Sequence, residues 1–253
     1  MKLSLLTYNC AREWDLDTII EVARRWGYAA IEFRAEADHK HGVELELDAA
    51  ARAAVRRKLE GDYLVASCIG TSSRFESADS TARQQQIDRT KRYVELARDI
   101  DCDRLRVFGN DIPDGVDSRD CVRYVGDTLR TLGEFAAPYD VEVNLEMHGQ
   151  FRFWRYTVGA VEHAGQPNIG IVYNCEPSDV IAGSVEETYS HVRDYIRHVH
   201  MHDFTSGYPY GPFLRLLRDD GYEGYCSSEI GGSPDPERVL AYFALLYREY
   251  LRI

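Results

Sequence analysis

Three histidines alternate in the segment RHVHMHDF (197–204), at His198, His200 and His202. Alternate residues of a β-strand point to the same face, so these imidazoles share one side of a strand. A surface strand has little use for such a row, whereas a strand that lines a barrel or a cleft could hold a metal ion with it. We expect His198 to be a buried core residue, His200 to be the ligand and His202 to lie at the rim of a substrate pocket.

Four polar residues end four successive predicted strands at nearly constant intervals. They are Glu146, Asn174, His200 and Glu229, and they are separated by 28, 26 and 29 residues. Each interval is about one β/α unit, so side chains that point inward at these positions can converge. Two carboxylates, an imidazole and an amide oxygen suit a divalent cation of intermediate hardness. Mn²⁺ fits this set best, with Mg²⁺, Co²⁺ or Zn²⁺ as alternatives.

The predicted elements that carry these residues alternate strand and helix eight times along the 253 residues. Asp15 is predicted to cap the first helix, and Gly27 is predicted to end it. Eight such units favour an α/β fold with a closed parallel sheet, a (β/α)8 TIM barrel that occupies residues 1–253 as a single domain. A doubly wound open sheet is the alternative, but the first unit lacks the glycine-rich phosphate loop typical of that fold. The predicted strands cover 3–8, 29–33, 63–69, 104–109, 141–147, 169–174, 196–202 and 225–230, and the later helices cover about 48–60, 80–100, 118–137, 155–164, 184–194, 212–220 and 235–250.

The composition limits the partners of this chain. It is 44% hydrophobic, which is sufficient for a full core, and its net charge of −12 argues against nucleic acid or an anionic membrane as the main partner. The N-terminal MKLSLLTYN turns polar too early for a signal peptide, and no apolar run is long enough to span a membrane. None of the six cysteines forms a CxxC pair, so we expect reduced thiols in a cytoplasmic protein.

Four segments carry a resemblance to a known family: NLEMHG (144–149), IGIVYN (169–174), HVHMHD (198–203) and YEGYCSSE (222–229). With these motifs, the whole chain resembles the xylose isomerase-like barrels, which include sugar isomerases, ketose 3-epimerases, inosose isomerases and dehydratases, and type IV apurinic endonucleases. The resemblance maps the metal ligands of that family onto Glu146, His200 and Glu229. Relatives usually carry Asp where this chain has Asn174, and a neutral amide oxygen binds a hard cation more weakly than a carboxylate does.

The resemblance implies a metal-dependent isomerase or epimerase that acts on a sugar, keto-sugar or inosose. Glu146 and Glu229 would then transfer a proton through an enediolate beside a carbonyl polarised by the metal. The same intermediate can expel a β-substituent, so the alternative is a lyase, either an inosose-type dehydratase or an enzyme that eliminates from a 3-keto-glycoside. The acidic balance disfavours an apurinic endonuclease, and a non-catalytic sugar-binding subunit would result if the change at Asn174 had abolished metal binding.

Several residues just beyond the strand ends are candidates for binding a small carbohydrate substrate: Arg34, Asn110, His148, His202 and Asp203. Glu32 shares a strand with Arg34 and is expected to be structural. The segment SGYPYGPF (206–213) could form a lid or a contact in a homo-oligomer. FRFWRY (151–156) could form an apolar wall for the sugar or begin an amphipathic helix.

Overall fold

Aspartate caps begin the first four α-helices of the structure, a computed structural model that describes residues 1–252. Asp15 accepts a hydrogen bond from the Thr18 N–H at 2.8 Å ahead of helix α1 (Leu16–Trp26), and Gly27 ends that helix with φ of 71°. Both signals predicted from the sequence are therefore present. The next three helices, α2 (Ala49–Gly61), α3 (Ser80–Asp99) and α4 (Ser118–Ala136), are capped in the same way by Asp48, Asp79 and Asp117.

Eight parallel strands close into a barrel, and each pairs with its neighbours in chain order, the eighth with the first. The predicted (β/α)8 fold is confirmed. The strands are β1 (Lys2–Leu6), β2 (Ala30–Arg34), β3 (Val65–Arg74), β4 (Arg104–Phe108), β5 (Glu142–Glu146), β6 (Ile169–Asn174), β7 (Ile196–Met201) and β8 (Tyr225–Ser228), and the later helices are α5 (Trp154–Ala164), α6 (Glu186–Val192), α7 (Tyr210–Asp219) and α8 (Pro236–Arg252).

The strand register sets the depth of the polar residues inside the barrel. Asn174 lies opposite His200, whereas Glu146 lies opposite Val172, two positions before Asn174. Staggered strands are a requirement of barrel closure, so residues at equivalent strand ends do not share one level. The side chains still meet, because each one points inward from its own strand.

The largest departure from the predicted bounds is in β3, which was expected over 63–69 and continues to Arg74. Its polar end reads as a loop in the sequence, yet the Thr71 side chain is buried and donates to the Arg106 carbonyl at 2.9 Å. Pairing with β4 resumes at Arg74, opposite Phe108. The strand is therefore held by its neighbour rather than by apolar residues of its own.

The six cysteines are buried and unpaired, which agrees with the expected reduced thiols. Within residues 1–252, the longer helices are too polar for any of them to cross a membrane.

Candidate active site

Two carboxylates face one imidazole nitrogen at the C-terminal ends of the strands. Glu146 Oε1 lies 3.4 Å from Nδ1 of His200, and Glu229 Oε2 lies 3.5 Å from the same atom. His200 and Glu146 are buried, and the Glu229 side chain is 13% exposed. Glu146 ends β5, His200 lies in β7, and Glu229 follows β8 with its N–H donating to the Met201 carbonyl. Three strands therefore build one cluster.

Glu32 in β2 holds the other nitrogen of His200. His200 Nε2 donates to Glu32 Oε1 at 2.9 Å, and His198 Nε2 donates to Glu32 Oε2 at 2.7 Å. Burial acts to lower the pKa of His200, but Glu32 and Glu146 raise it well above its ordinary value. Because Nε2 is committed to Glu32, Nδ1 is the atom that His200 presents to the cluster.

His198 in β7 and His202, which directly follows that strand, differ from His200 in depth. His198 is fully buried, and its Nε2 also lies 2.9 Å from the Ser227 hydroxyl. The His202 side chain is 30% exposed, and its Nε2 donates to Asn174 Oδ1 at 2.8 Å. The same nitrogen lies 3.8 Å from Glu229 Oε2, so His202 stands at the rim of the cluster.

Asn174 links the rim to the buried cluster. Its oxygen accepts from His202, and its Nδ2 donates to Glu146 Oε1 at 3.1 Å. A half-turn of the amide would instead present the oxygen to the cluster, which is the orientation that the predicted ligand role requires. The structure therefore brings all four predicted ligand residues together, with Asn174 oriented here as a hydrogen-bond donor to Glu146.

Arg106 in β4 is a member of the site that sequence reasoning missed. Its Nε lies 2.9 Å from Glu146 Oε2, and both side chains are almost fully buried. A Cβ on Gly70 would lie only 2.9 Å from Arg106 Nη2, so the glycine leaves room for the guanidinium. Burial acts to raise the pKa of Glu146, but Arg106 and His200 outweigh it and lower the pKa to about 2. The one available signal was an arginine between two apolar residues of the strand RLRVFG.

Two predicted pocket residues, Asn110 and His148, meet beside the cluster. His148 Nδ1 lies 3.0 Å from Asn110 Oδ1, and the His148 ring packs against Phe108 with the ring centroids 5.0 Å apart. Glu176, which the sequence analysis did not single out, adds a carboxylate to the rim with Oε1 3.8 Å from His202 Nε2. It lies two residues after the end of β6, just beyond the strand-end position of Asn174 from which the ligand was predicted.

Arg34 and Asp203, also predicted to bind substrate, have local structural partners. Arg34 donates to the Gly70 carbonyl at 3.1 Å and to the Ser72 hydroxyl at 2.8 Å, so it joins β2 to the end of β3. Asp203 is exposed and accepts from the N–H and the hydroxyl of Thr205, each at 2.8 Å. It therefore caps a turn.

Two groups of side chains within residues 1–252 could hold a metal ion. Glu146, His200 and Glu229 form one group, and Glu32, His198 and His200 form the other, each with ligand atoms within 4.8 Å of one another. In the second group, the two Glu32 oxygens already accept hydrogen bonds from Nε2 of His198 and Nε2 of His200. In the first group, His200 Nδ1 and Glu229 Oε2 are buried without a hydrogen-bond partner among the described residues. The first group is therefore the candidate metal centre.

Comparisons with known proteins agree with the fold. The sequence matches the family described as Xylose isomerase-like TIM barrel over residues 20–248. No match was found among curated proteins.

Solved structures show the same barrel at low sequence identity. The IolI protein with a bound zinc atom has a TM-score of 0.79 at 16% identity, with 99% of this chain and 96% of that chain covered. D-psicose 3-epimerase with D-tagatose from Clostridium cellulolyticum H10 has a TM-score of 0.81 at 14% identity, with 99% of each chain covered. The probable 3-DHS dehydratase AsbF from Bacillus anthracis has a TM-score of 0.77 at 15% identity, with 98% of this chain and 99% of that chain covered. At these identities the likeness shows a shared fold.

Proposed function

The chain belongs to the xylose isomerase-like TIM barrel family, and we propose that it is a divalent-metal-dependent isomerase or epimerase of a sugar, keto-sugar or inosose. The observation that carries the proposal is the pair Glu146 and Glu229, which faces Nδ1 of His200 at 3.4 and 3.5 Å. Two carboxylates around one imidazole offer both a cation site and two proton carriers. The zinc atom of the IolI structure and the D-tagatose of the epimerase structure support this reaction class.

The residues present fit a divalent cation. Glu146, His200 and Glu229 would hold it, and the amide oxygen of Asn174 would supply a neutral fourth ligand. The unpartnered His200 Nδ1 and Glu229 Oε2 support this assignment among the described residues, because buried polar atoms otherwise find a hydrogen bond. When bound, the ion would polarise a substrate carbonyl and lower the energy of the enediolate by several kcal/mol. Mn²⁺ is the proposed ion, with Mg²⁺, Co²⁺ and Zn²⁺ as alternatives.

The two carboxylates differ as proton carriers. Glu146, with a pKa lowered to about 2, is a weak base, so Glu229 is the group that removes the proton from the carbon beside the carbonyl. In an isomerisation, the protonated Glu229 returns that proton to the former carbonyl carbon, and the hydroxyl proton of the neighbouring carbon passes to the former carbonyl oxygen. In an epimerisation, Glu229 keeps the proton that it removed, and Glu146 relays a proton from water to the opposite face, because a carboxyl group with a pKa of about 2 holds a proton only transiently.

The proposal is tested with a panel of keto-sugars and inososes, each incubated with one of the four metal ions and analysed for products. Glu146→Gln and Glu229→Gln should each lower kcat by about 10² to 10⁴, the usual contribution of a positioned acid or base. Glu142→Gln is the matched control, because Glu142 lies at the opposite end of the same strand as Glu146. A glutamine variant of either residue with near-wild-type kcat would remove that residue from the mechanism.

A second candidate function is a lyase on the same residues. The observation that favours it is the position of His202, whose Nε2 lies 3.8 Å from both Glu229 and Glu176 at the rim. After Glu229 removes a proton, His202 could protonate a leaving group on the adjacent carbon, which an isomerase does not need. Product analysis separates the two functions, since elimination gives an enone and a released substituent.

A further inference from the structure

A polar cavity begins beside the proposed metal centre. It has a volume of about 330 Å³ and is lined by Asp111, His148, Gln150, Arg152 and Glu176. Glu176 is the rim carboxylate 3.8 Å from His202 Nε2, so the cavity lies at the rim of the cluster. Its hydrogen-bonding walls suit the hydroxyl groups of a sugar.

A second, apolar cavity of about 350 Å³ lies next to the first, and Arg152 lines both. Its walls include Phe153, Trp154, Tyr156 and Ile181, which come from the segments after β5 and β6. Phe153 is 48% exposed and Ile181 is 40% exposed. Large apolar side chains exposed together beside a polar pocket are typical of a binding surface.

The aromatic side chains of the apolar cavity are held in place by their neighbours. The Trp154 ring stacks on His191 of α6 with the centroids 3.6 Å apart and the planes 11° apart. The guanidinium of Arg155 lies 4.8 Å from the Trp154 ring, and that of Arg152 lies 5.2 Å from the Phe153 ring. Ring faces and guanidinium planes are the surfaces on which aromatic groups stack.

We propose that this apolar cavity is a subsite for a planar aromatic substituent of the substrate. This inference rests on the proposed function, because it takes the sugar to lie in the polar cavity beside the metal centre. Each cavity reaches the lower end of the range of about 300–1,000 Å³ found for drug-sized ligands, and an unsubstituted sugar would leave the apolar one unfilled. The substrate class is therefore an aryl-substituted sugar rather than a free monosaccharide.

The test compares nitrophenyl and methyl glycosides of the same sugars as ligands of the full chain with Mn²⁺. For each sugar that binds, we expect the nitrophenyl glycoside to bind at least about tenfold more tightly than the methyl glycoside. The affinities are measured by calorimetry. The nitrophenyl group should also quench tryptophan fluorescence on contact. The quenching should disappear in Trp154→Phe, which retains Trp14 and Trp26 as internal references.

Phe153→Ala and Ile181→Ser should abolish the preference for the aryl ligand, and both change exposed side chains that the fold does not need buried. Tyr242→Ala on α8 is the matched control, because Tyr242 is 58% exposed on another surface, and it should keep the preference. The inference is overturned by equal affinity for both ligand series, by quenching that survives in Trp154→Phe, or by a Phe153-dependent association of two copies of the chain. Binding is measured without turnover, so a failure of the proposed reaction does not affect this result.

Discussion

The three histidines in and just after β7 have different partners, and each substitution should have a different effect. His200→Ala should weaken metal binding by more than about 100-fold, because it removes a ligand. His198→Ala should keep the metal but lower the unfolding free energy by about 1–3 kcal/mol, because Glu32 loses a buried hydrogen bond. His202→Ala should mainly raise KM. Metal titration, urea unfolding and steady-state kinetics measure the three effects. Retention of metal by His200→Ala would show that the ligand is assigned to the wrong imidazole.

Arg106 is expected to set the ionisation of Glu146. Removal of one partner of a buried ion pair costs about 3–5 kcal/mol, so Arg106→Met should be clearly less stable. The pKa of Glu146, now about 2, should rise in this variant, and the acidic limb of the pH profile of kcat/KM should move to higher pH. Arg106→Lys keeps a positive charge beside Glu146, so the pKa of Glu146 should rise less in this variant than in Arg106→Met.

The control for Arg106 is Arg104→Met, on the same strand. Arg104 pairs with Asp103 and Glu142 instead of Glu146, so its loss should change stability without moving the acidic limb. An unchanged limb in Arg106→Met would show that the ion pair has no part in the reaction.

Asn174→Asp should have opposite effects on the metal-free and metal-bound protein. Without metal, a second carboxylate would lie at about the 3.1 Å separation that now joins Asn174 to Glu146, so the melting temperature should fall. With metal, the added charge should tighten binding and slow turnover, because a better-neutralised ion is a weaker Lewis acid. Metal titration and melting with and without Mn²⁺ measure both effects. An unchanged metal affinity would mean that residue 174 does not touch the ion.

Among the elements, the segment between β6 and α6 carries a buried acid. Burial raises the pKa of Asp179 to about 7, and Asp179 Oδ2 accepts from the Glu176 N–H at 3.0 Å. The folded state therefore keeps a proton that the unfolded chain releases above its ordinary pKa of 3.8, so stability falls as pH rises from about 4 to 7. Urea unfolding at pH 5 and pH 8 should show a smaller fall for Asp179→Asn than for the wild type.

The control for Asp179 is Asp117→Asn, at an exposed helix cap whose pKa is lowered rather than raised. This variant should lose some stability at both pH values without removing the fall between them. If Asp179→Asn shows the full wild-type fall, Asp179 is not the group that titrates.

The barrel and the convergence of its strand ends were predictable because each β/α unit repeats one apolar pattern with polar residues at the end of its strand. Glu146, His200 and Glu229 follow from that spacing, and Asn174 follows with them. Arg106 was missed because its partner is 40 residues away in sequence and only the register of β4 with β5 joins them. The apolar cavity was expected only in part: Phe153, Trp154 and Tyr156 belong to FRFWRY, for which an apolar wall was one of two interpretations, whereas Ile181 comes from a separate segment after β6. Asp203 and Arg34 have side chains that can bind a substrate or form local hydrogen bonds, and the sequence alone does not distinguish these two roles.

At the scale of the whole molecule, charge and metal groups limit the reaction class. The net charge of −12 opposes binding to a DNA backbone. Within residues 1–252, the two groups that could hold a metal ion share His200. In the group formed with Glu32 and His198, the ligand atoms already form hydrogen bonds with one another. An apurinic endonuclease with three zinc ions would need more ligands than these groups supply. These properties support the proposed reaction of a small neutral substrate at one metal ion.

The most direct test of the account is solvent exchange in D₂O. Keto-sugars and inososes, with and without an aryl substituent, are incubated with the Mn²⁺-loaded protein, and deuterium at the carbon beside the carbonyl is followed by NMR. We predict deuterium incorporation that depends on the metal and is lost in Glu229→Gln. Absence of both exchange and product with every substrate, or exchange that persists after metal removal, would contradict the proposed metal-dependent proton transfer.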